Sequence, residues 1–531
     1  MRNRVILVLC CAALFAPLRL SAQEEHEHHG DNEQLGTVIF PNSCSPDSQE
    51  SFVHAVALMH SFQYTAAENA FVEVAASDKH CAMACWGEAM ALYHQLWDQP
   101  KMKTLKAGRK DLKEARKINP KTERETQFID AALLFFDTNS KHDYDTRAHR
   151  YSDAMADMYA KYPDDSEVAA FYALSLLTWD QPGDKNYANR RKAIEVLNKL
   201  YAAQPNHPGA AHYLIHSADR PELAPLALAA ARRYAQIAPG SSHAIHMPSH
   251  IFSRLGLWQE SIESNTAAAA AAEREINAHL AEAHYEFHPM DYLEYAYLQI
   301  GREKDAWGVI EKVDTVPGAS DATRAAVKNF FTARYYLELH DWAKAAALPI
   351  PSVLKGKERI DSDWAKTIGA ARSGDAAGAR NALADYRSVD DGKDVYRSPA
   401  TGETSAERQE AEAWAMYADG KKDDAVKALR TAADQEDADA PEVAMMPARE
   451  MLADMLLDMN RPTDALVEYQ ASLKESPNRF DGLYGAARAA ELTGKSEQAA
   501  TYYGQLLKMC DNGAHSDRPE LARAKTLLAT K

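Results

Sequence analysis

The stretch ADMLLDMNRPTDALVEYQASLKESPNRF, residues 453–480, decides the fold class because a second stretch repeats its pattern one unit later. In GAARAAELTGKSEQAATYYGQLLK, residues 485–508, Ala499 follows Ala465 by 34 residues, and Tyr503 follows Tyr469 by the same interval. Apolar residues recur at helical spacing on both sides of a short polar turn, and a proline follows the first unit. The pattern predicts pairs of antiparallel helices with small residues where they cross.

This unit resembles the tetratricopeptide repeat, which implies an all-α fold: an α-solenoid of stacked antiparallel helix pairs coiled into a right-handed superhelix. Weaker copies occur earlier in the chain, at residues 64–78, 192–205, 232–239 and 295–307. We expect one helical array over residues 47–385 and further repeats over residues 407–531. A loop at residues 386–406 would separate them.

The net charge of the chain limits the partners that it can bind. The chain of 531 residues has a formal net charge of −17 and no basic stripe, which disfavours nucleic acid as a partner.

Residues 1–22 begin with a basic segment, continue with a short apolar run and end in small residues, which is typical of a secretory signal. We expect cleavage, no membrane span afterwards, and export to the periplasm or the medium. Residues 23–46 would form an extension rich in histidine and acidic residues.

An oxidising compartment favours disulfide bonds among the remaining cysteines. Cys81 and Cys85 lie four residues apart on a predicted helix, where a bridge between them would be strained. A bond between Cys44 and Cys81 is therefore the favoured pairing, and it would tie the extension to the first helices. Cys85 and Cys510 are as readily explained as free buried thiols.

The main candidate for a functional site is a set of histidines centred on GSSHAIHMPSHIFSRLG, residues 240–256. His246 follows His212 by 34 residues, and His250 follows His216 by the same interval, so these residues recur with the repeat. In the tetratricopeptide family, positions 2, 5 and 9 of the first helix line the concave groove, and the resemblance implies the same here. On that register the predicted cluster is His212, His216, His243, His246, His250, His288 and Asp291.

Side chains on neighbouring helices can converge on one ion, because packed helices lie about 8–10 Å apart. Neutral imidazoles with a carboxylate suit zinc, copper or iron better than calcium or magnesium, so we expect a transition-metal site. Pro248 lies among these histidines, and two interpretations remain open. It either kinks one helix between His246 and His250 or is the first residue of a helix preceded by a loop.

A second set of predicted groove residues lies farther along the chain. Tyr295 takes position 9 of its unit, Glu450 and Asp454 take positions 5 and 9 of theirs, and Tyr484 and Arg488 take the same places one unit later. An ion pair between Asp454 and Arg488 across adjacent helices is favoured over ligand contact.

Several phrases resemble a narrower group, exported bacterial tetratricopeptide-repeat proteins of uncharacterised function. The most specific are HAIHMPSHIF, residues 243–252, and PAREMLADML, residues 447–456; residues 81–97, 209–224 and 288–299 add to them. The resemblance implies a fold and a compartment but no reaction. Cys85 departs from it, standing where an aromatic residue is expected in relatives.

Taken together, these patterns favour an exported solenoid whose groove carries a histidine-rich, metal-coordinating site. Two alternatives stay open: a scaffold that binds a protein or peptide without metal, and a metal-dependent enzyme of unknown reaction. The sequence contains no P-loop, dinucleotide-binding fingerprint, HExxH motif or nucleophile elbow, so it leaves catalysis undecided.

Overall fold

The architecture is seen in a computed structural model that describes residues 34–96, 99–139, 141–179, 184, 186–390, 404–439 and 446–529. Over these residues the chain is an α-solenoid in which each helix packs against the next, which confirms the predicted fold class. The predicted signal (1–22), most of the histidine- and acid-rich tail (23–33) and residues 391–403 of the predicted loop lie outside the described residues.

Within the part of the chain that the structure describes, the first half of the solenoid contains fourteen α-helices. In chain order they are α1 (Gln49–His60), α2 (Tyr64–Ser77), α3 (Ala82–Ala91), α4 (Met102–Ile118), α5 (Glu123–Phe135), α6 (Tyr144–Lys161), α7 (Ser166–Leu177), α8 (Ala188–Ala203), α9 (Pro208–Ala218), α10 (Leu228–Ile237), α11 (Ser242–His246), α12 (Pro248–Arg254), α13 (Trp258–Asn277) and α14 (His284–Gln299).

The second half contains twelve more. They are α15 (Glu303–Lys312), α16 (Asp321–Glu338), α17 (Trp342–Ala346), α18 (Ile360–Arg372), α19 (Ala376–Asp390), α20 (Ala406–Ala418), α21 (Lys422–Asp439), α22 (Ala448–Asp458), α23 (Pro462–Glu475), α24 (Phe480–Leu492), α25 (Ser496–Met509) and α26 (Pro519–Ala529). No helix among the described residues is long and apolar enough to cross a membrane.

Helix starts follow the chemistry of their first residues. Thr122 caps α5: its hydroxyl accepts from the backbone N–H of Glu125, and the Glu125 carboxylate accepts from the N–H of Thr122 in return. Prolines open α9, α12 and α23, where the missing N–H would have no partner within the helix. Local sequence therefore sets where the helices begin.

The predicted loop at residues 386–406 does not divide the hydrophobic core. Tyr386 at the end of α19 and Trp414 in α20 are both buried in the same cluster of apolar side chains, which continues to the C-terminal helices. α14 also contacts α24, so the histidine-bearing helices touch the repeats from which the fold was predicted.

An extended segment, residues 34–45, crosses the starts of five alternate helices; we call it the N-terminal strap. Leu35, Val38 and Phe40 are buried, and a disulfide bond joins Cys44 to Cys81. The strap therefore ties consecutive units together. Its contacts, in order, are Gln34 with Gly240 before α11, Thr37 with Asn206 before α9, Ile39 with Ser166 at α7, Ser43 with Glu125 at α5, and Ser45 with Asp78 before α3.

Small residues allow close helix crossings, as the repeat pattern predicts. A Cβ atom on Gly485 would lie 2.2 Å from Cζ of Tyr469, whose buried hydroxyl donates to the carboxylate of Asp454. The ring has no room to move away, so the crossing of α23 and α24 requires glycine at this position.

We expect Gly485→Ala to lower the free energy of unfolding by about 1–3 kcal/mol, because the added methyl group overpacks the crossing. Gly504→Ala in α25 is the matched control: nothing lies within 4 Å of its Cβ position, and removing a helical glycine should stabilise the protein by about 0.5–1 kcal/mol. Chemical denaturation measures both, and equal stability of the two variants would contradict this packing.

Candidate metal centre

Four helices of the solenoid bring six histidines together. α9 carries two of them, α11 two, and α12 and α14 one each. We call this set the histidine chamber: His212, His216, His243, His246, His250 and His288. It consists of two groups of three: the first is His212, His216 and His243, and the second is His246, His250 and His288. Within each group the candidate ligand atoms all lie within 4.8 Å of one another.

The first group joins α9 to α11. Nε2 of His212 lies 3.1 Å from Nε2 of His216 and 3.2 Å from Nε2 of His243. Nδ1 of His212 faces the backbone carbonyl of His60 at 2.6 Å. A carbonyl only accepts, so Nδ1 carries the proton and Nε2 of His212 presents its lone pair to the other two rings.

The second group joins α11, α12 and α14. Nε2 of His246 lies 3.0 Å from Nε2 of His250, and the ring of His288 lies 4.4 Å from that of His246, centroid to centroid. The two groups adjoin each other, because the rings of His216 and His250 are 6.2 Å apart.

Pro248 lies between His246 and His250 in this arrangement. It is the first residue of α12, as one interpretation predicts, but His243 and His246 lie on the short helix α11 and not in a loop. Met247, between the two helices, keeps helical φ and ψ, while Pro248 has no N–H to donate to the carbonyl of Ala244. The His246 and His250 rings, four residues apart across this break, meet at their Nε2 atoms.

Acceptor groups fix the outer nitrogens of the second group. Nδ1 of His246 faces Oδ1 of Asn265 at 2.7 Å, and the Asn265 amide nitrogen donates to the carbonyl of Ser261, which sets the orientation of the amide. Nδ1 of His250 lies 3.0 Å from Oδ2 of Asp219, whose other oxygen accepts from Nε of Arg254. Both Nδ1 atoms therefore face acceptors.

The electrostatics favour neutral rings at five of the six chamber histidines. Burial lowers the pKa of His212 and of His288 to about 3 and holds the pKa of His216, His243 and His246 well below 6.5. Neighbouring imidazoles lower these pKa values further, since two protonated rings would repel each other. Burial also raises the pKa of Asp219, but Arg254 and the hydrogen bond from His250 outweigh it and hold this pKa well below its usual range.

A cavity of about 830 Å³ opens onto the chamber, and five of the six histidines line it; His212 is the exception. Tyr64, His94 and Tyr285 form part of its wall, and Glu275 and Glu282 add carboxylates. A small molecule entering the cavity would meet imidazoles from both groups.

A third buried group, His60, Glu167 and His207, differs in that each ring nitrogen has a protein partner. Each oxygen of Glu167 accepts from one imidazole, at 2.8 and 2.9 Å. The outer nitrogens of the two rings are bonded to the hydroxyl of Tyr213 and to the N–H of Ala210. Burial raises the pKa of Glu167, but the two imidazoles lower it to about 2, so this group is a buried carboxylate held by hydrogen bonds from two histidines.

Asp291, the predicted carboxylate ligand, lies outside both groups. Nη1 of the buried Arg334 contacts its Oδ1 at 2.6 Å, because α16 brings that guanidinium against this turn of α14.

The carboxylate beside the imidazoles is Asp219, which lies 3.0 Å from Nδ1 of His250. Sequence reasoning missed it, although it lies three residues after His216. Tyr292, whose hydroxyl lies 3.2 Å from Nδ1 of His250, was also missed, although it follows His288 by one helical turn.

The second predicted set does not form an open groove. Tyr295 and Glu450 are buried, and both bind Arg479: its guanidinium donates to the Tyr295 hydroxyl at 2.6 Å and to Oε1 of Glu450 at 2.9 Å. Tyr484 is half-buried and packs against the ring of Tyr503.

The expected pair between Asp454 and Arg488 does not form. Arg372 of α18 reaches Asp454 at 2.5 Å. Arg488 instead binds Glu491, which lies one turn along its own helix at 2.9 Å. The partner on the same helix is within easy reach, whereas a partner across the repeat depends on how the helices cross.

No protein-family model matches the chain, and no curated protein matches it. Among solved structures, the chain is similar to a tetratricopeptide repeat protein from Parabacteroides merdae ATCC 43184, with 13% sequence identity and a TM-score of 0.31. That match covers 54% of this chain and 98% of the other.

We expect the metal-free protein to lose stability as the pH falls below about 6.5. An unfolded histidine takes up a proton near pH 6.5, whereas burial keeps His212 and His288 neutral to about pH 3. The unfolded state therefore binds more protons over this range, and each such histidine costs on the order of 1 kcal/mol per pH unit. Urea denaturation of chelator-treated protein at several pH values measures the slope.

The double variant His212→Gln/His288→Gln should show a shallower pH dependence than the parent. The exposed His149 provides the control, because His149→Gln removes a histidine that is already solvated. A metal-free parent whose stability does not change over this pH range would contradict the neutral, buried state of the chamber.

Proposed function

We propose that the protein binds a transition metal in the histidine chamber. The observation that carries the proposal is the contact between Nε2 of His246 and Nε2 of His250, 3.0 Å apart, while the outer nitrogen of each ring faces an acceptor. With the protons of both neutral rings on Nδ1, two Nε2 lone pairs point at each other. Such a contact is repulsive unless a cation lies between the two nitrogens.

A proton or a metal ion can serve as that cation. A proton would make one imidazolium; Asp219, 3.0 Å from Nδ1 of His250, would favour it, whereas desolvation and the neighbouring imidazoles oppose it. A metal ion instead uses the lone pairs of all three rings in the group. Nitrogens bound tetrahedrally at about 2.0–2.1 Å lie about 3.3 Å apart, close to the 3.0–3.2 Å separations within the two groups.

The surroundings of the rings match those of metal-bound histidines, which commonly donate their second N–H to a carbonyl or a carboxylate. His212 does so to a backbone carbonyl, His246 to an amide oxygen and His250 to Asp219. A ligand set made of imidazoles suits zinc, copper or iron. These partners fix the direction of the lone pairs before any ion arrives.

Two further observations bear on the wider proposal of an exported binding protein. The disulfide bond between Cys44 and Cys81 supports an oxidising compartment, such as the periplasm or the medium. The solenoid also supports a role in binding a protein partner, but Tyr295, Glu450 and Asp454 are engaged in contacts within the fold. The chamber is therefore the stronger basis for a function.

Elemental analysis tests the proposal directly. The protein is purified without an affinity tag and with His26, His28 and His29 replaced by Ala, since the tail could bind ions by itself. After exposure to zinc, copper or iron and removal of the excess, we expect stoichiometric metal in this parent and a higher melting temperature. His216→Ala/His250→Ala, which removes one ligand from each group, should lose both effects.

His207→Gln is the matched control, because it disturbs a buried histidine whose nitrogens already have protein partners. This variant is expected to be less stable than the parent while retaining its metal. A parent protein that keeps none of the three metals and shows no change in melting temperature would refute the proposal.

Two aspartates provide a second comparison. Asp219→Asn should weaken metal affinity about 10–100-fold, because the carboxylate that orients His250 is lost. Asp291→Asn should leave metal affinity unchanged, because that side chain binds Arg334. Competition with a chromophoric chelator measures both affinities, and a larger loss for Asp291→Asn would show that the ligands are assigned wrongly.

A further inference from the structure

Each of the two histidine groups has the donor set of a complete metal site. Three protein ligands with a fourth position left open characterise catalytic metal sites, whereas structural sites use four protein ligands. His212, His216 and His243 supply one set of three imidazoles, and His246, His250 and His288 supply the other. The chamber therefore offers two open-type sites.

The two groups lie side by side on neighbouring turns of the solenoid. Ring centroids of His216 and His250 are 6.2 Å apart, and those of His243 and His246 are 6.3 Å apart, so the groups face each other along two edges. Paired ions in two-metal sites lie about 3.5–4 Å apart and share a ligand between them. Centroid separations of 6.2 and 6.3 Å across the two groups leave room for two ions bound at the facing rings to share a ligand.

Charge indicates what the shared ligand is. All six imidazoles would bind a metal as neutral ligands. Among the nearby carboxylates, Asp219 is already paired with Arg254 at 2.8 Å, and Glu275 accepts from the backbone N–H and the hydroxyl of Ser242. Two divalent ions would therefore bring charge that the rings do not neutralise. An anion between the ions would compensate part of it.

The cavity gives such an anion access. Five of the six histidines, with members from both groups, line the same space of about 830 Å³. The open positions of the two sites therefore face one volume, which is larger than a water molecule or a small anion requires.

We propose that the chamber holds two metal ions at once and that the pair binds one bridging anion, which enters through this cavity. This inference rests on the proposed function and extends it. In the resting state the bridge is hydroxide: one water molecule binds both ions and releases one proton to solvent, because metal binding lowers the pKa of water. Other small anions replace it by exchange.

The experiment uses copper(II) as the probe on the full-length parent that lacks the three tail histidines. After loading and desalting, we expect two copper ions per chain. Spins of two copper(II) ions joined by hydroxide pair with each other, so the electron paramagnetic resonance signal should account for less than half of the copper present. Azide should then add an absorption band that saturates at one azide per two copper ions.

The results separate this inference from the function on which it rests. A chain that retains no zinc, copper or iron refutes the proposed function. One copper per chain, two coppers with full signal intensity, or saturation at two azides would overturn the paired site while leaving metal binding intact. These readouts need no substituted histidine in the chamber, so they do not depend on how a variant folds.

Variants that remove one group at a time add a second check. His212→Asn/His243→Asn and His246→Asn/His288→Asn should each retain one copper per chain with full signal intensity. Loss of both ions from either folded variant, judged by an unchanged circular dichroism spectrum, would show that the two groups do not form separate sites.

Discussion

The close approach of Nε2 of His246 to Nε2 of His250, 3.0 Å apart, is the constraint on which the candidate site depends. Neither ring can turn its Nδ1 inward without breaking a buried hydrogen bond, to Asn265 in one case and to Asp219 in the other. With both protons on Nδ1, repulsion between the two Nε2 lone pairs would therefore be built into the fold, and a cation between them would relieve it. The surrounding helices act as a rigid frame that holds the nitrogens in place.

Repetition of the helix pair supplies that frame. Each unit places a first helix beside the previous one, so residues at equal positions form a row along the array. In one unit Pro248 divides this first helix into α11 and α12. The partners separated by 34 residues belong to different groups, and each group draws on neighbouring helices.

Periodicity, together with the resemblance to the tetratricopeptide repeat, was enough to predict the fold class and the six histidines, because both depend on which face of a helix a residue occupies. It failed for Asp291, Asp454 and Arg488, whose partners depend on how helices cross and on which long side chain arrives from outside the unit. Asp219 and Tyr292 were within reach of the same reasoning, since both lie near predicted ligands in sequence. Asn265 could not be predicted in this way, because its position in the sequence has no regular relation to that of His246.

The N-terminal strap has a mechanical consequence. A solenoid is deformable along its axis because each unit contacts only its neighbours. Here one extended segment crosses the starts of five alternate helices, from α11 back to α3, and a covalent bond anchors its far end at Cys81. The strap therefore resists extension of the array along the stretch that includes α9 and α11, and it supports the spacing between their imidazoles.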